Sequence, residues 1–293
     1  MKMKVSIITA TYNSAATIKD TVLSVKNQTF SNVEHIVIDG QSTDNTLNLL
    51  NYFGHSGPVL SEPDRGIYDA MNKGVKMATG DIVGILNSDD FYPHSRVIEK
   101  VVKVFDSGDC DAVYGDLVFV DTIFKKKVLR EWIAGGYNKK LFYKGWMPPH
   151  PTFFVKREVY EKYGAFNLDF KISSDYELLL RFMLLKDIKV KYLPGVLVHM
   201  RAGGLSNKSW KNRIAAHIED YRAWTANGIS PKWYTVLLKP LRKVKQYVFA
   251  KKFRYSNNLF FKIFFSSEQT SKQVNGLVSG PSRNKFPMND LRS

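Results

Sequence analysis

The stretch IVGILNSDDFY, residues 82–92, places two adjacent carboxylates, Asp89 and Asp90, directly after a run of apolar residues. The apolar run has the near-continuous Ile and Val content of a strand that is buried on both faces. Two neighbouring carboxylates at the end of such a strand repel each other, so a cation must offset the repulsion. The stretch therefore predicts a central strand of an α/β sheet that ends at a charged site.

The chain around this stretch alternates strand-like and helical patterns. The strand-like runs are KVSIITA, EHIVID, PVLSE and DIVGIL, and the helical patterns between them are AATIKDTVLSVKNQ, DNTLNLLNYF and YDAMNKGVKMA. This alternation predicts a mainly parallel sheet covered by helices on both faces. Beyond Tyr114, AVYGDLVFVD and KKKVLREWI predict antiparallel or edge strands, HPTFFVKREVYEKYG a strand followed by a helix, and SSDYELLLRFMLL a mostly buried helix.

Composition limits the class of protein. A chain of 293 residues with 44% hydrophobic content can bury a large core in one or two domains. The single cysteine, Cys110, allows no internal disulfide, which fits a reducing cytoplasmic setting, and its acidic neighbours favour a structural thiol. The start of the chain lacks a secretory pattern, and no run of about 18 apolar residues predicts a membrane span.

The formal charge of +16, from 43 basic and 27 acidic residues, predicts an anionic partner. The excess lies near the C-terminus, because 13 Lys or Arg occur from Lys208 to Lys262 against only Glu219 and Asp220. We therefore expect a catalytic domain over residues 1–205, a basic, aromatic, helical extension over 206–265 and a disordered tail over 266–293.

Polar residues collect where the predicted parallel strands end, which is the edge of an open α/β sheet that binds ligands. The residues that follow the four strands are Thr9, Thr11, Tyr12 and Asn13; Asp39 and Gly40; Glu62, Asp64 and Arg65; and Asn87, Ser88, Asp89 and Asp90. Taken singly, several have a structural alternative. Asp39-Gly40 is an ordinary turn dipeptide, Asp44 suits the start of a helix, and Asp89 suits an N-cap.

A hard divalent cation explains the adjacent acids Asp89 and Asp90. Mg²⁺ or Mn²⁺ held by one or two carboxylates completes its coordination with water and substrate phosphates. The first strand is followed by neither a P-loop lysine motif nor G-x-G-x-x-G, so a metal must organise the phosphates. The sequence thus predicts a Mg²⁺ or Mn²⁺ site that binds a diphosphate.

Four motifs, VSIITATYN, VIDGQSTDNT, EPDRGIYDAMNKGVKMATGDIVGILNSDDFY and ISSDYELLLRF, together resemble the inverting family 2 glycosyltransferases of the GT-A fold, of the type that assembles bacterial surface polysaccharides. The resemblance covers about the first 205 residues, and the order and spacing of the motifs are specific. It implies a nucleotide-sugar donor, UDP- or GDP-linked, and a saccharide or lipid-linked acceptor. The Q-x-x-R-W motif of processive synthases is absent, which implies transfer of a single sugar per encounter.

The resemblance also implies roles for individual residues. The predicted nucleotide-sugar-binding residues are Thr11, Tyr12, Asn13, Asp39, Asp64, Arg65, Asn72 and Asp89. Asp90 corresponds to the direct metal ligand of the family's D-x-D-type motif, although this chain reads S-D-D, and Asp175 corresponds to the catalytic base. Inverting transfer needs such a base opposite the leaving group, to take the proton of the attacking hydroxyl.

Structural alternatives exist for the later candidates as well. Ser174 and Glu177 have the spacing of a capping box, in which case Asp175 would only favour the start of a helix. His150 and His199 are candidates for contact with substrate or metal, but a histidine between apolar neighbours is often simply hydrogen-bonded in a core.

Other functional classes fit the sequence less well. A receiver-like phospho-acceptor also has acids at strand ends, but it is shorter and has no place for a basic C-terminal region. A nucleic-acid-binding protein would explain the charge and the aromatic residues of KWYTVLLKPLRKVKQYVFAKKFRY, but the acidic cleft opposes it, so we expect no nucleic-acid partner. A catalytically inactive nucleotide-sugar binder stays open.

The extension predicts contact with an anionic membrane surface. Its aromatic and basic residues alternate between Pro231 and Phe265, and a helix starting near Pro240 places Leu241, Val244 and Val248 on one side. Such a helix lies in the headgroup plane, so we expect a peripheral protein on the inner face of the cell membrane. The alternative is a helical hairpin packed on the catalytic domain.

Overall fold

The computed structural model describes residues 3–122, 127–203, 210–235 and 238–239, and all structural statements below concern these residues. The strands are β1 (Val5–Thr11), β2 (Val33–Asp39), β3 (Val59–Ser61), β4 (Ile82–Ile85), β5 (Ala112–Val120), β6 (Val128–Trp132), β7 (Phe154–Lys156) and β8 (Val190–Arg201). The α-helices are α1 (Ile18–Lys26), α2 (Thr46–Tyr52), α3 (Ile67–Met77), α4 (Val97–Asp106), α5 (Lys139–Tyr143), α6 (Arg157–Tyr163), α7 (Ser174–Leu179) and α8 (Trp210–Ala226). A 3₁₀ turn at His150–Thr152 precedes β7, and a π-helical segment at Leu180–Leu185 continues α7.

The strands form one mixed sheet with the order β3-β2-β1-β4-β7-β5-β6, in which β8 also pairs with β5. The strands β3, β2, β1 and β4 are parallel, whereas β7 is antiparallel to both β4 and β5. This arrangement confirms the predicted α/β architecture. The two strands predicted as antiparallel or edge strands fit that prediction, because β5 is antiparallel to β6 and β7, and β6 ends the strand order. The strand β5 itself lies inside the sheet and also pairs in parallel with β8.

Side-chain alternation along the central strands builds a core on each face of the sheet. In β1, Ile8 belongs to the core covered by α3, whereas Ile7 belongs to the core covered by α4, as the period of two along a strand requires. The helix α3 approaches β1 closely at Gly74, where an added Cβ would lie 2.3 Å from Ile8 Cγ2. The two cores therefore fix the strand ends that carry the polar residues.

The described start of the predicted extension packs on the α/β domain. Trp224 in α8 is fully buried, and its indole Nε1 donates a hydrogen bond of 3.0 Å to the hydroxyl of Tyr176 in α7. Thr235 Oγ1 donates to the carbonyl of Tyr143 at 2.9 Å. The packed-hairpin alternative therefore fits the described part of the extension. The predicted helix from Pro240 and the predicted tail over 266–293 lie outside the described residues.

The structure contains no helix, within the residues it describes, that is both long enough and apolar enough to span a bilayer.

Candidate active site

The carboxyl ends of β1 and β2 bring the first group of predicted residues together. Thr11 pairs with Asp39 across the two parallel strands, and the amide of Gly40 donates to the carbonyl of Thr11 at 2.9 Å. An added Cβ at Gly40 would lie 2.5 Å from Asp64 Oδ2 and 3.5 Å from Tyr12 Cδ2. The glycine therefore permits Asp64 and Tyr12 to approach this edge of the sheet.

Asp39 is fully buried and organises the turn that follows β2. Its Oδ2 accepts hydrogen bonds from Ser42 N at 3.0 Å and from Ser61 Oγ at 2.6 Å, and its Oδ1 accepts one from Ser42 Oγ. The turn role considered from the sequence is thus present. A carboxylate offers about four lone-pair sites, so three bonds leave it able to accept one more donor from a ligand.

Asn13 ties the loop after β1 to the start of α2. Its backbone is in the left-handed region at φ 48°, and its Oδ1 accepts hydrogen bonds from Thr43 N at 2.8 Å and Asp44 N at 3.3 Å. Asp44 in turn accepts a hydrogen bond of 3.0 Å from Thr46 N, which confirms its structural role at the start of α2. The neighbouring Tyr12 ring is 62% exposed and lies at the rim of the cleft.

Asp90 lies fully buried just beyond β4, and only one of its two carboxylate oxygens accepts a hydrogen bond from the described residues. Its Oδ2 accepts a hydrogen bond from Asn87 Nδ2 at 3.0 Å, but its Oδ1 has no hydrogen-bond partner among the described residues. Two other buried oxygens also have no hydrogen-bond partner among the described residues: Thr11 Oγ1, at the end of β1, and Asn87 Oδ1, just after the adjacent strand β4. Buried oxygens are rarely left without a partner, so these three atoms are candidates for contact with a ligand.

The pKa values of the two adjacent acids are both raised. Burial raises the pKa of the half-buried Asp89, and burial together with the adjacent Asp89 carboxylate raises the pKa of Asp90 well above its usual range. Arg201 at the end of β8 donates a short hydrogen bond to the Asp89 carbonyl and pairs with Asp20. Arg201 therefore lies nearby, and its positive charge lowers the pKa of both acids without cancelling the effect of burial.

A hard divalent cation fits these residues. No group of three or more His, Cys, Asp or Glu side chains is arranged for metal binding in the described part of the chain. The free Asp90 oxygen beside Asp89 could instead supply one or two ligands, with water and phosphate oxygens completing the shell, which is the usual arrangement for Mg²⁺. The residues present therefore fit a metal that binds together with a phosphorylated substrate.

Asp175 lies half-buried in the first turn of α7, beside a tyrosine from α3. The hydroxyl of Tyr68 donates to the Ile172 carbonyl at 2.7 Å and lies 3.2 Å from Asp175 Oδ1. Burial and the Asp175 carboxylate both raise the pKa of Tyr68 well above 10. Tyr68 therefore stays protonated, and its single O–H proton is shared between the Ile172 carbonyl and Asp175 Oδ1.

The capping-box interpretation of this helix is wrong. Ser174 is the first helical residue and not the N-cap, and its Oγ donates to the Asn167 carbonyl at 2.8 Å. Glu177 instead pairs with Arg181 at 2.9 Å. Asp175 is therefore not part of a capping box.

The remaining predicted residues lie around these two groups of acids. His150 is buried, its ring packs edge-on against Phe166 at 5.4 Å, and burial lowers its pKa although Asp175 acts in the opposite direction. Both ends of the Asn72 amide bond to the Phe166 backbone at 2.8 Å, so Asn72 holds the Phe166 loop. Arg65 is largely exposed and pairs with Asp69.

His199 lies next to the acidic pair through the backbone. It forms an isolated antiparallel bridge with Phe91, the residue after Asp90, with N–H···O distances of 2.9 and 3.1 Å. Burial lowers the pKa of His199 to about 4, so its imidazole is neutral at physiological pH. A neutral imidazole can accept a hydrogen bond or bind a metal.

Sequence reasoning missed two residues at the site. Tyr68 lies inside the quoted EPDRGIYDAMNKG motif, but nothing in the motif says that its hydroxyl reaches Asp175 from 107 residues away. Arg201 follows the apolar run of β8, and a buried arginine at a strand end is a signal that could have been read together with the acids.

The sheet topology, with acids at the carboxyl ends of its parallel strands and a further acid on a helix beyond them, is that of the GT-A class of glycosyltransferases. The model of Glycosyl transferase family 2 matches residues 6–164, which is more than half of the chain. The chain belongs to this family.

Curated relatives agree with this assignment. A PGL/p-HBAD biosynthesis glycosyltransferase of Mycobacterium bovis (strain BCG / Pasteur 1173P2) is 30% identical over 208 residues, covering 69% of this chain and 78% of the relative. An uncharacterised glycosyltransferase of Mycobacterium tuberculosis (strain CDC 1551 / Oshkosh) is 33% identical over 195 residues, covering 61% of this chain and 69% of the relative.

Solved structures share the fold at low identity. S. aureus TarS 1-349 in complex with UDP-GlcNAc superimposes with a TM-score of 0.60 at 18% identity, over 77% of this chain and 65% of that one. The mannosyltransferase PcManGT from Pyrobaculum calidifontis, in complex with GDP-Man and Mn²⁺, gives a TM-score of 0.60 at 19% identity, over 81% of this chain and 68% of that one. At these identities the likeness establishes the fold, which confirms the predicted GT-A architecture.

Proposed function

We propose that this protein transfers a single sugar, with inversion, from a UDP- or GDP-linked donor to a saccharide or lipid-linked acceptor. The observation that carries the proposal is the buried Asp90 carboxylate, whose Oδ1 has no partner among the described residues and lies beside Asp89 at the carboxyl end of β4. A buried acid with an unused oxygen at this edge of the sheet needs a cationic ligand. The neighbouring structures with UDP-GlcNAc and with GDP-Man and Mn²⁺ support the same class of ligand.

The donor nucleotide would bind at the ends of β1 and β2. Asp39 can accept one further hydrogen bond from the base or ribose, and the exposed Tyr12 ring offers a face for stacking. Asn13, Asp64 and the exposed Arg65 border the same edge. Together with Thr11, these residues would set the position of the nucleoside.

The diphosphate would bind at the end of β4. Asp90, with Asp89 beside it, would hold Mg²⁺ or Mn²⁺, and the bound ion would neutralise the charge of the departing diphosphate. Asp89 and Asp90 cannot both ionise easily without such a cation, because burial raises the pKa of both and the adjacent Asp89 carboxylate raises that of Asp90 further. The two acids therefore favour binding of a divalent cation.

The acceptor hydroxyl would lose its proton to Asp175. The Tyr68 hydroxyl, 3.2 Å from Oδ1, would help to orient the carboxylate, and Oδ2 would accept the proton as the hydroxyl oxygen attacks the anomeric carbon. The leaving diphosphate departs from the opposite face, which gives inversion. His150 and His199 are proposed to contact the substrates, and Asn72 to position the Phe166 loop beside Asp175.

A membrane-bound acceptor would explain the charge distribution of the chain. The basic, aromatic sequence between Pro231 and Phe265 suits an anionic headgroup surface, so we propose peripheral attachment to the inner face of the cell membrane. An enzyme held there would meet lipid-linked acceptors in two dimensions.

A thermal-shift panel of UDP- and GDP-linked sugars, with and without Mn²⁺, tests the proposed function. A true donor at about a hundredfold excess over its Kd should add about 2.7 kcal/mol of stability, and only when Mn²⁺ is present. Stabilisation without release of nucleoside diphosphate on adding acceptors would indicate an inactive binder. No stabilisation by any nucleotide sugar in Mn²⁺ would contradict the proposal.

A further inference from the structure

The loop that leads into α7 is held by a side chain from α8, outside the residues that the family model matches. Glu219 is buried in α8, and its carboxylate accepts three hydrogen bonds from successive backbone amides. Oε1 accepts from Lys171 N at 3.0 Å, and Oε2 accepts from Ile172 N and Ser173 N at 2.8 Å each.

No other acceptor for these three amides occurs among the described residues. They precede Ser174, the first residue of α7, and the amide of Ser173, the N-cap, is one that the helix itself leaves without a carbonyl partner. A carboxylate is a stronger acceptor for these amides than a neutral side-chain oxygen, because charge-assisted hydrogen bonds are about twice as strong as neutral ones. Glu219 therefore fixes the backbone two to four residues before Asp175.

The same loop is held from the opposite direction by the residue that contacts the proposed base. Tyr68 donates to the carbonyl of Ile172, whose amide bonds to Glu219, and the Tyr68 hydroxyl also lies 3.2 Å from Asp175 Oδ1. Ser173 Oγ adds a bond of 3.4 Å to the Ala216 carbonyl of α8. The backbone of Ile172 is thus hydrogen-bonded to α3 through its carbonyl and to α8 through its amide, and Asp175 follows it by three residues.

We propose that Glu219 is a positioning residue for Asp175, through which α8 sets the orientation of the base toward the acceptor. The inference rests on the proposed role of Asp175. It gives the described part of the C-terminal extension a function in the reaction beyond packing. Removing the carboxylate would release the loop and let Asp175 move, while the donor site at the ends of β1, β2 and β4 would keep its contacts.

Three full-length variants separate positioning from simple packing. Glu219→Ala removes all three hydrogen bonds. Glu219→Gln keeps a carbonyl oxygen for Ile172 N and Ser173 N but turns an NH₂ group toward Lys171 N. Asp220→Ala is the matched control, because Asp220 is the adjacent buried acid of α8 and pairs with Lys239 at 2.6 Å, whereas the amides of residues 171–173 bond to Glu219.

Amide hydrogen exchange over residues 171–174 is the first measurement, and it needs no substrate. In Glu219→Ala, we expect the three amides to exchange at least about tenfold faster than in the wild type, because each loses a bond to a charged acceptor. Glu219→Gln should show a smaller change, and Asp220→Ala none in this segment. Unchanged protection in Glu219→Ala would overturn the proposal, whether or not the chain proves to be a transferase.

Steady-state kinetics with the donor selected by the thermal-shift panel is the second measurement. We expect kcat of Glu219→Ala to fall about 10- to 100-fold, as for a misplaced catalytic group, with the donor Kd unchanged within about twofold. Glu219→Gln should recover most of the loss, and Asp220→Ala should keep kcat even if its melting temperature falls. Equal losses in Glu219→Ala and Asp220→Ala would overturn the positioning role. Full activity in Asp175→Asn would instead contradict the proposed base.

Discussion

At the scale of single residues, Asp175 and Asp90 have different environments that suit different tasks. Asp175 is half-buried and held at one oxygen by Tyr68, whereas Asp90 is fully buried and has one oxygen without a partner among the described residues. A general base must exchange a proton with substrate, and a metal ligand must stay ionised next to its ion. The different environments of the two carboxylates therefore support the separate roles that we propose for them.

Asp175→Asn should abolish transfer while leaving the donor site intact. We expect kcat to fall about 10² to 10⁴-fold, because the amide cannot take the proton of the acceptor hydroxyl. The donor Kd, measured by calorimetry in Mn²⁺, should stay near that of the wild type. A loss of only a few-fold, accompanied by a lower melting temperature, would show that Asp175 serves the fold of α7.

His35 makes the stability of the sheet depend on pH. Its Nε2 lies 3.0 Å from Thr9 Oγ1 between two central strands, and burial, followed by the nearby His55, lowers its pKa to about 3. In the unfolded chain His35 has the ordinary histidine pKa of about 6.5. Between this pH and about 3, the unfolded chain therefore binds a proton at His35 that the folded chain does not bind. Stability is therefore complete above pH 6.5 and is lost as the pH falls toward 3.

Urea unfolding of wild type and His35→Gln at pH 7.5 and 5.5 measures this effect. Between these pH values, the free energy of unfolding of the wild type should fall by about 1.4 kcal/mol more than that of the variant, which cannot titrate at this position. Parallel pH dependence in the two proteins would show that His35 is protonated in the fold.

At the scale of elements, α3 carries Tyr68 and packs directly on β1. Gly74→Ala should destabilise the protein by about 1 to 3 kcal/mol, because the added methyl would lie 2.3 Å from Ile8 Cγ2 in a fully buried strand. The gain of about 1 kcal/mol in helix propensity does not offset this overlap. Gly136→Ala is the matched control, since nothing lies within 4 Å of its added Cβ. Equal melting temperatures for both variants would contradict the packing of α3 on β1.

The sequence predicted the parallel half of the sheet well and the rest less well, for physical reasons. Strands β1, β2 and β4 are buried on both faces and read as apolar runs, so their ends located Asp39, Asp89 and Asp90. The strand β8 was missed because Pro194 and Gly195 interrupt its pattern, and its pairing with β5 shifts register there.

The contacts that position Asp175 depend on long-range packing, which periodicity does not encode. Ser174 and Glu177 matched a local capping pattern. In the fold, however, the Ser174 hydroxyl bonds to the Asn167 carbonyl and the Glu177 carboxylate bonds to Arg181. Glu219 contributed only to a charge count in the sequence, although its carboxylate holds a loop 46 to 48 residues away. Local rules therefore pointed to the candidate acids of the proposed site and not to the groups that contact them.

At the scale of the whole molecule, the charge of +16 predicts attachment to anionic membranes. Full-length protein should float with vesicles that contain anionic lipid and be released by high salt. The variant R242E/K243E/K245E should lose this binding, because each basic residue near such a surface contributes about 1 kcal/mol. The control K76E/K100E/K162E makes the same change in net charge at exposed positions of the α/β domain.

Equal loss of flotation in both triple variants would show that net charge alone drives binding. Protein that stays in the soluble fraction at low salt with anionic vesicles would contradict the membrane proposal and favour a packed hairpin. The cut that removes the basic residues from Arg242 onward should follow Lys239, because a cut before α8 would also remove Trp224, which is buried in the core.

Metal-dependent binding of a nucleoside diphosphate is the most direct test of the proposed active site. Titration calorimetry with UDP and GDP should give an affinity for the wild type that rises at least about 100-fold, or about 2.7 kcal/mol, when Mn²⁺ is added. Asp90→Asn keeps the shape of the residue and its bond with Asn87, so it should fold normally and lose the Mn²⁺ effect, whereas Asp116→Asn, which alters a buried acid elsewhere in the sheet, should retain it. An Mn²⁺-dependent affinity in Asp90→Asn equal to that of the wild type would contradict the assignment of this site.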